Sequence, residues 1–378
     1  MSSLLMLAVA AAQAQPLIAS KPWVPPMAVG NEADRKQLDL ARRQGAAYAA
    51  LVDWERRGAA WSAATDAADY RLVAAISPAE GQWLGDGGAA HWQEPAAGQV
   101  HLRVFAEDGA SARFVPGLTM RALFLGADGA VLGDAPLPFA LYPVTDAYGA
   151  NVALPPGTAR VAIQIEPMQM MRHDPYNGDR FFRRTVGIMP LVLNGPVAGP
   201  TASERAEASP PAPLLAARRS ALEDTIRAMW AQASSGGEKQ QGGMIVTYAI
   251  EYAEAFWRFS PSGSFRYTVE NENSNADNAH LEVAPRDPRT GRFIPAATVT
   301  TETVSPEGGS PRQDTPILWH SWLYHFGKNV RVPRTGSYTL NVTVTPTPVP
   351  HYGRATGNMW WAPASVIFPG ARIRTGGK

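Results

Sequence analysis

The spacing of apolar positions divides the chain into stretches of different texture. Residues 4–12 form an apolar run, followed by the small-x-small triplet Ala12-Gln13-Ala14. Such a run is too short to span a bilayer and reads as a secretory signal over residues 1–14. No Lys or Arg precedes it, a gap that a late start codon or a truncated signal would explain, and a buried N-terminal helix is the alternative. Residues 32–62, rich in Ala, Arg and Leu and free of proline, carry a weak helical stripe and predict a helical lead-in within 15–69.

From 70 to 194 the period shortens to alternating runs such as "ARVAIQIEP", broken by Gly, Pro, Asn and Asp, as antiparallel strands require. Residues 195–243 read as a Pro/Ala-rich linker containing a short helix, in which Leu222, Ile226 and Met229 keep helical spacing and "SSGGEKQQGG" ends the helix. Strand texture returns from 244 to 369, and 370–378 is a tail.

The second β region repeats the first. "HLRVFAEDGASARFVP" from 101 and "HLEVAPRDPRTGRFIP" from 280 share His-Leu-x-Val and, twelve residues after the His, Arg-Phe-(Val/Ile)-Pro. A shift of 174 to 179 residues also superposes Ala79-Glu80-x-x-Trp83 on Ala253-Glu254-x-x-Trp257 and Tyr148-Gly149-Ala150-Asn151-Val152 on Phe326-Gly327-Lys328-Asn329-Val330. Gly178 and Phe181-Phe182 then meet Gly357 and Trp360-Trp361. So many anchors in one order indicate a duplicated domain. The predicted fold class is therefore all-β: two tandem immunoglobulin-like β-sandwiches, over 70–194 and 244–369, with helical lead-in and linker segments.

Composition narrows the chemistry. A net charge of +1 gives no footprint for nucleic acid or an anionic membrane. Zero cysteines exclude disulfides, thiolate metal sites and a cysteine nucleophile, so a metal would have to be held by His, Met, Asp or Glu. In "HLEV" strand alternation sends Leu281 and Val283 to one face and His280 and Glu282 to the other, their Cα atoms about 7 Å apart, within reach of one ion. His320 and His325 lie just before the next strand and His351 follows it, so four of the seven histidines occupy motif positions in the second copy. There is no Gly-x-Ser-x-Gly elbow, no phosphate-cradling glycine loop and no His-Glu-x-x-His, and an enzyme is not expected.

"YHFGKNVRVPRTGSYTLNV" and "AYGANVALPPGTARVAIQIEPMQMMRHD" resemble the signature of the periplasmic iron-transport-associated family, immunoglobulin-like proteins that bind copper or ferrous iron beside high-affinity iron permeases. The resemblance covers both β regions. It implies a periplasmic transition-metal protein, with copper or iron as cofactor and an inner-membrane iron permease as partner. The implied main site is His280, Glu282, His320, His325 and His351, with no methionine at the family's methionine position. In the first copy the resemblance leaves His101 and His173, with Met168 and Met171 as thioether candidates beside Met170, but puts Ala147 and Arg103 where a histidine and a glutamate belong. That site is expected to be weak or degenerate, since a guanidinium cannot coordinate a cation. Whether a homodimer completes a site stays open. The alternative function is a glycan-binding or other interaction module, for which Trp319, Trp322, Tyr324, Trp360 and Trp361 would form the stacking platform.

Overall fold

The computed structural model describes residues 17–24, 26–30, 33–85, 90–173, 180–197, 210–254, 256–259, 265–268, 278–309, 312–357 and 359–375; the expected signal segment lies outside them. Among the described residues no helix is long and apolar enough to cross a membrane.

Helix α1 (Arg35–Arg56) starts where the Asp34 carboxylate accepts the Gln37 N–H and the Gln37 side chain accepts the Asp34 N–H, a reciprocal cap. Its buried stripe includes Leu38, Ala41, Gly45, Tyr48 and Val52, at spacings of three and four. A Cβ on Gly45 would fall 1.6 Å from the Ser111 carbonyl oxygen, so only glycine lets the helix lie this close to the sandwich. Helix α2 (Ala212–Gln232) buries Leu222, Ile226 and Met229 as their spacing predicts, and at 21 residues it is not a short linker helix. The two helices meet through Arg43 and Asp224 at 2.6 Å and through Gln44 and Thr225 at 2.8 Å.

The first copy contributes β1 (Trp61–Ala67), β2 (Tyr70–Pro78), β3 (Gln82–Gly85), β4 (Ala90–Gln93), β5 (Val100–Asp108), β6 (Met120–Leu125), β7 (Val131–Pro136), β8 (Phe139–Leu141), β9 (Asp146–Val152), β10 (Arg160–Ile165), β11 (Met171–Arg172) and β12 (Thr185–Pro190). The second contributes β13 (Ser235–Gln241), β14 (Met244–Tyr252), β15 (Phe256–Phe259), β16 (Phe265–Thr268), β17 (Ala279–Arg286), β18 (Ala297–Ser305), β19 (Gly308–Gly309), β20 (Gln313–Thr315), β21 (Ile317–Trp319), β22 (His325–Val330), β23 (Gly336–Pro346), β24 (His351–Tyr352) and β25 (Ala364–Ile373). The fold is all-β in class, with each sandwich beginning earlier than expected. β1 precedes residue 70, and "SGGEKQQ" is the strand β13. That segment lacks apolar alternation because it is an exposed edge, held by backbone pairing to β14, with Gly236 leaving room for the Trp230 ring.

The sheets repeat like the sequence. One large sheet runs β1-β2-β5-β9-β8-β24-β3-β4 and the other β13-β14-β17-β22-β21-β11-β15-β16. The smaller sheets are β12-β10-β6-β7 and β19-β18-β23-β25, with β20 paired to β18. In the first copy, Leu72, Val104 and Tyr148 of the large sheet share a core with Phe124, Ile163 and Met189 of the small one, which makes each copy a sandwich.

The copies are not independent beads. β11 of the first copy is inserted between β21 and β15 of the second, and β24 of the second between β8 and β3 of the first. Prolines direct this exchange: Pro167 follows β10, and Pro346, Pro348 and Pro350 end β23 and follow it. A proline cannot donate to its own ladder, so the chain leaves its sandwich there. The cores follow: Trp319 and Tyr352 of the second copy are buried in the first core, and Leu141 of the first lies in the second.

Candidate metal centre

β17 pairs with β14 on one side and β22 on the other, and all eight of its residues are buried. Leu281 and Val283 enter the sandwich core, leaving His280 and Glu282 on the opposite face. His280 Nδ1 lies 3.0 Å from Asn329 Oδ1. The orientation of that amide is fixed by the Glu254 backbone, since Asn329 Nδ2 donates to the Glu254 carbonyl at 2.7 Å and Oδ1 accepts the Glu254 N–H at 3.2 Å. His280 must therefore carry its proton on Nδ1 and present a lone pair at Nε2. His325, at the start of β22, is set the same way, its Nδ1 donating to the Leu323 carbonyl at 3.3 Å. The two Nε2 atoms stand 3.3 Å apart. Two acceptor nitrogens facing each other with no proton between them repel unless a cation lies at the junction.

His173, just after β11, is the third member. Its ring centroid is 4.9 Å from that of His280 and 5.1 Å from that of His325. One ligand atom from each of the three histidines lies within 4.8 Å of the others, the one group of this kind among the described residues. Two carboxylates adjoin: Glu282 Oε1 is 3.3 Å from His325 Nε2, and Glu254 Oε2 is 2.5 Å from His173 Nδ1 and 3.9 Å from His280 Nε2. The floor is Gly327, where a Cβ would come 2.7 Å from His325 Nε2 and 2.8 Å from His280 Nε2. A side chain there would close the space in which the rings converge.

Burial favours the neutral form of His280, His320 and His325, the form that ligates a metal. It pushes His280 down to about 4, and His320 and His325 well below the usual range, with mutual repulsion among the rings adding to the effect. Burial alone would raise the Glu254 carboxyl, but the His173, His280 and His320 rings overcome it and hold Glu254 below the usual carboxylate range. The donor set is nitrogen and oxygen, and it is buried.

Of the residues expected in the second-copy site, the structure brings together His280, Glu282 and His325. His320 lines the group, its ring 4.8 Å from His173, with Nδ1 accepting the Trp322 N–H at 3.4 Å. His351 does not join it: on β24, it is stacked 4.0 Å from Trp361, with Nδ1 3.3 Å from the Thr356 carbonyl oxygen. His173, expected in the first copy, is the residue that completes the second. Both departures follow from the exchanged strands. Glu254 had marked itself only by recurring as Glu80.

Strand pairing aligns the copies residue by residue. Arg172 pairs with Trp319 and Trp257, and His351 with the corresponding Leu141 and Trp83. Arg172 and His351 are thus equivalent, and the counterpart of His173 is Tyr352. The first-copy site then consists of His101, Arg103, Tyr142, Ala147, Tyr352 and Glu80. His101 keeps its tautomer through Asn151 at 3.0 Å, but its Nε2 lone pair accepts the Tyr142 hydroxyl at 3.0 Å. Arg103 fills the rest, bonded to Glu55 at 2.7 Å and Glu80 at 2.9 Å, its guanidinium 3.7 Å from the centre of the Tyr142 ring. Met168 and Met170 are packed in the first core, and Met171 is a half-buried β11 residue paired with Leu318. Trp319, Trp322 and Trp360 are buried and Tyr324 and Trp361 partly so, so these five do not form an open stacking platform.

No protein-family model matches the chain, and no curated protein does. Among solved structures, FetP of uropathogenic Escherichia coli strain F11, expressed in the E. coli periplasm, matches at 17% identity with a TM-score of 0.28, over 38% of this chain and 96% of FetP. A copper-bound variant of Campylobacter jejuni P19 matches at 16% identity with a TM-score of 0.26, over 37% of this chain and 98% of P19. Copper-reconstituted P19 matches at 18% identity with a TM-score of 0.25, over 37% and 97%. The similarity is partial at these scores, and the reading of the centre rests on its own geometry.

Proposed function

We propose that the chain binds one transition-metal ion where His173, His280 and His325 converge, with Glu282 and Glu254 as adjoining carboxylates, and that it does so in the periplasm in the service of iron uptake. The observation that carries this reading is the pair of Nε2 atoms 3.3 Å apart, each a lone-pair acceptor because its Nδ1 proton is committed elsewhere. Imidazole and carboxylate donors without a thioether suit a divalent ion, and divalent copper is the one such a set holds most tightly. Iron as physiological cargo and a permease as recipient follow from the sequence resemblance, the location from the signal-like first residues and the same resemblance.

The test is calorimetric titration of the full chain, purified without a His-tag, with Cu(II) and, under anaerobic conditions, Fe(II) at pH 7. One saturable equivalent of copper is expected. A folded protein that takes up neither ion would remove the metal reading.

A further inference from the structure

The repeated Arg-Phe-x-Pro motif contributes no ligand to the metal centre. In both copies its arginine and phenylalanine line a cavity of about 60 Å³ between the copies, together with Arg218 of α2 and Asp146 of β9. At roughly 15 Å³ of such space for each water, the cavity offers about four water-sized positions.

Its wall is strongly cationic. Arg113, Arg218 and Arg292 are 2%, 8% and 3% exposed. Each spends some N–H groups on carbonyls: Arg113 on His320 and Ser321, Arg292 on Tyr142 and Thr145, and Arg218 on Val144 and Thr290. Yet Arg113 Nη1, Arg218 Nη2 and Arg292 Nε are buried without a hydrogen-bond partner among the described residues. Charged donors left in that state are costly. Among the described residues Asp146 is the one carboxylate in the wall, 3.3 Å from Arg292 Nη1. Behind it, Asp108 is paired with Arg180 at 2.6 Å, and Asp287 accepts the Thr290 hydroxyl. In the wall itself, among the described residues, three guanidinium groups therefore meet one carboxylate.

We propose that this cavity binds a small oxyanion, of the size of phosphate or a short carboxylate, held by Arg113, Arg218 and Arg292. Planar guanidinium forks match the geometry of such an anion. The anion would supply the missing charge and acceptors. Burial also pushes Arg113 and Arg218 down to about 10, as expected where counter-charge is short. The site does not depend on the metal reading, although its wall includes Leu323, whose carbonyl sets the His325 tautomer.

The experiment is calorimetry on the full chain after chelation and dialysis, at low ionic strength, with sodium phosphate and sodium succinate in separate arms. One saturable equivalent of at least one anion is expected; phosphate alone would point to an inorganic oxyanion, succinate alone to a carboxylate. Arg218→Gln is the mild variant, since Gln44 lines the same cavity from α1 and donates to the Trp322 carbonyl as Arg218 does to that of Val144. It should weaken binding at least about tenfold, the loss of one charge-assisted hydrogen bond. Asp146→Asn should strengthen it, a gain that a purely structural role would not give. No saturable uptake by the folded wild type, or an affinity unmoved by Arg218→Gln, would overturn the proposal.

Discussion

At the histidine the two sites share, the difference is the Tyr142 hydroxyl. His101 and His280 have the same asparagine on Nδ1 and the same strand position, but the Nε2 of His101 receives a proton donor from Tyr142, whereas that of His280 faces another lone pair. The first arrangement is satisfied within the protein and the second needs a cation. His101 also offers a readout free of the metal, because burial lowers it to about 4 in the fold. The unfolded chain takes up this proton below ~6.5 and the native chain does not, so stability is full above ~6.5 and falls as pH drops towards 4, by about 1.4 kcal/mol per pH unit for this one residue. His101→Gln should flatten denaturant stability measured between pH 6 and 4.5 by about that slope; an unchanged slope would mean that His101 is protonated in the fold. Strand alternation and motif spacing made His280, Glu282 and His325 legible in the sequence. Glu254 was not, because its role comes from a loop folding back on Asn329, 75 residues away.

At the scale of elements, the exchanged strands decide which histidine serves which site. β11 and β24 are two residues long, too short to show any period, and each lies in a proline- or methionine-rich stretch that reads as a loop. The sequence therefore gave every reason to assign His173 and His351 to their own copies. The pairing of β11 with β21 and β15 reverses that. His173→Ala should lower metal affinity by more than the roughly 10- to 100-fold typical of losing a group that only orients a ligand. His351→Ala should leave the affinity unchanged, since its ring packs on Trp361. A copper titration of both variants separates the two wirings. Loss of affinity in His351→Ala with wild-type binding in His173→Ala would put each histidine back in its own copy.

At the scale of the molecule, the duplication lets the two copies exchange strands within one chain, and it frees the two sites to diverge. The strand that each large sheet borrows comes from within the chain, so a monomer is the expected solution state, with a single metal. The first site differs from the second at four aligned positions, Arg103 for Glu282, Tyr142 for His320, Ala147 for His325 and Tyr352 for His173, while His101, Asn151, Glu80 and Gly149 are retained. The retained group is what sets the tautomer and the floor, so the geometry for binding persists beneath the substitutions. The changes must be made together. A histidine at 147 alone would enter a space closed by Tyr142, whose hydroxyl lies 2.2 Å from where a Cβ on Gly149 would be. Removing Arg103 alone would leave Glu55 and Glu80 facing each other without their cation. Arg103→Glu, Tyr142→His, Ala147→His and Tyr352→His in one chain should raise copper stoichiometry from one to two equivalents while sedimentation still reports a monomer. A folded quadruple variant that binds one equivalent would show that the two frameworks have diverged beyond their ligands.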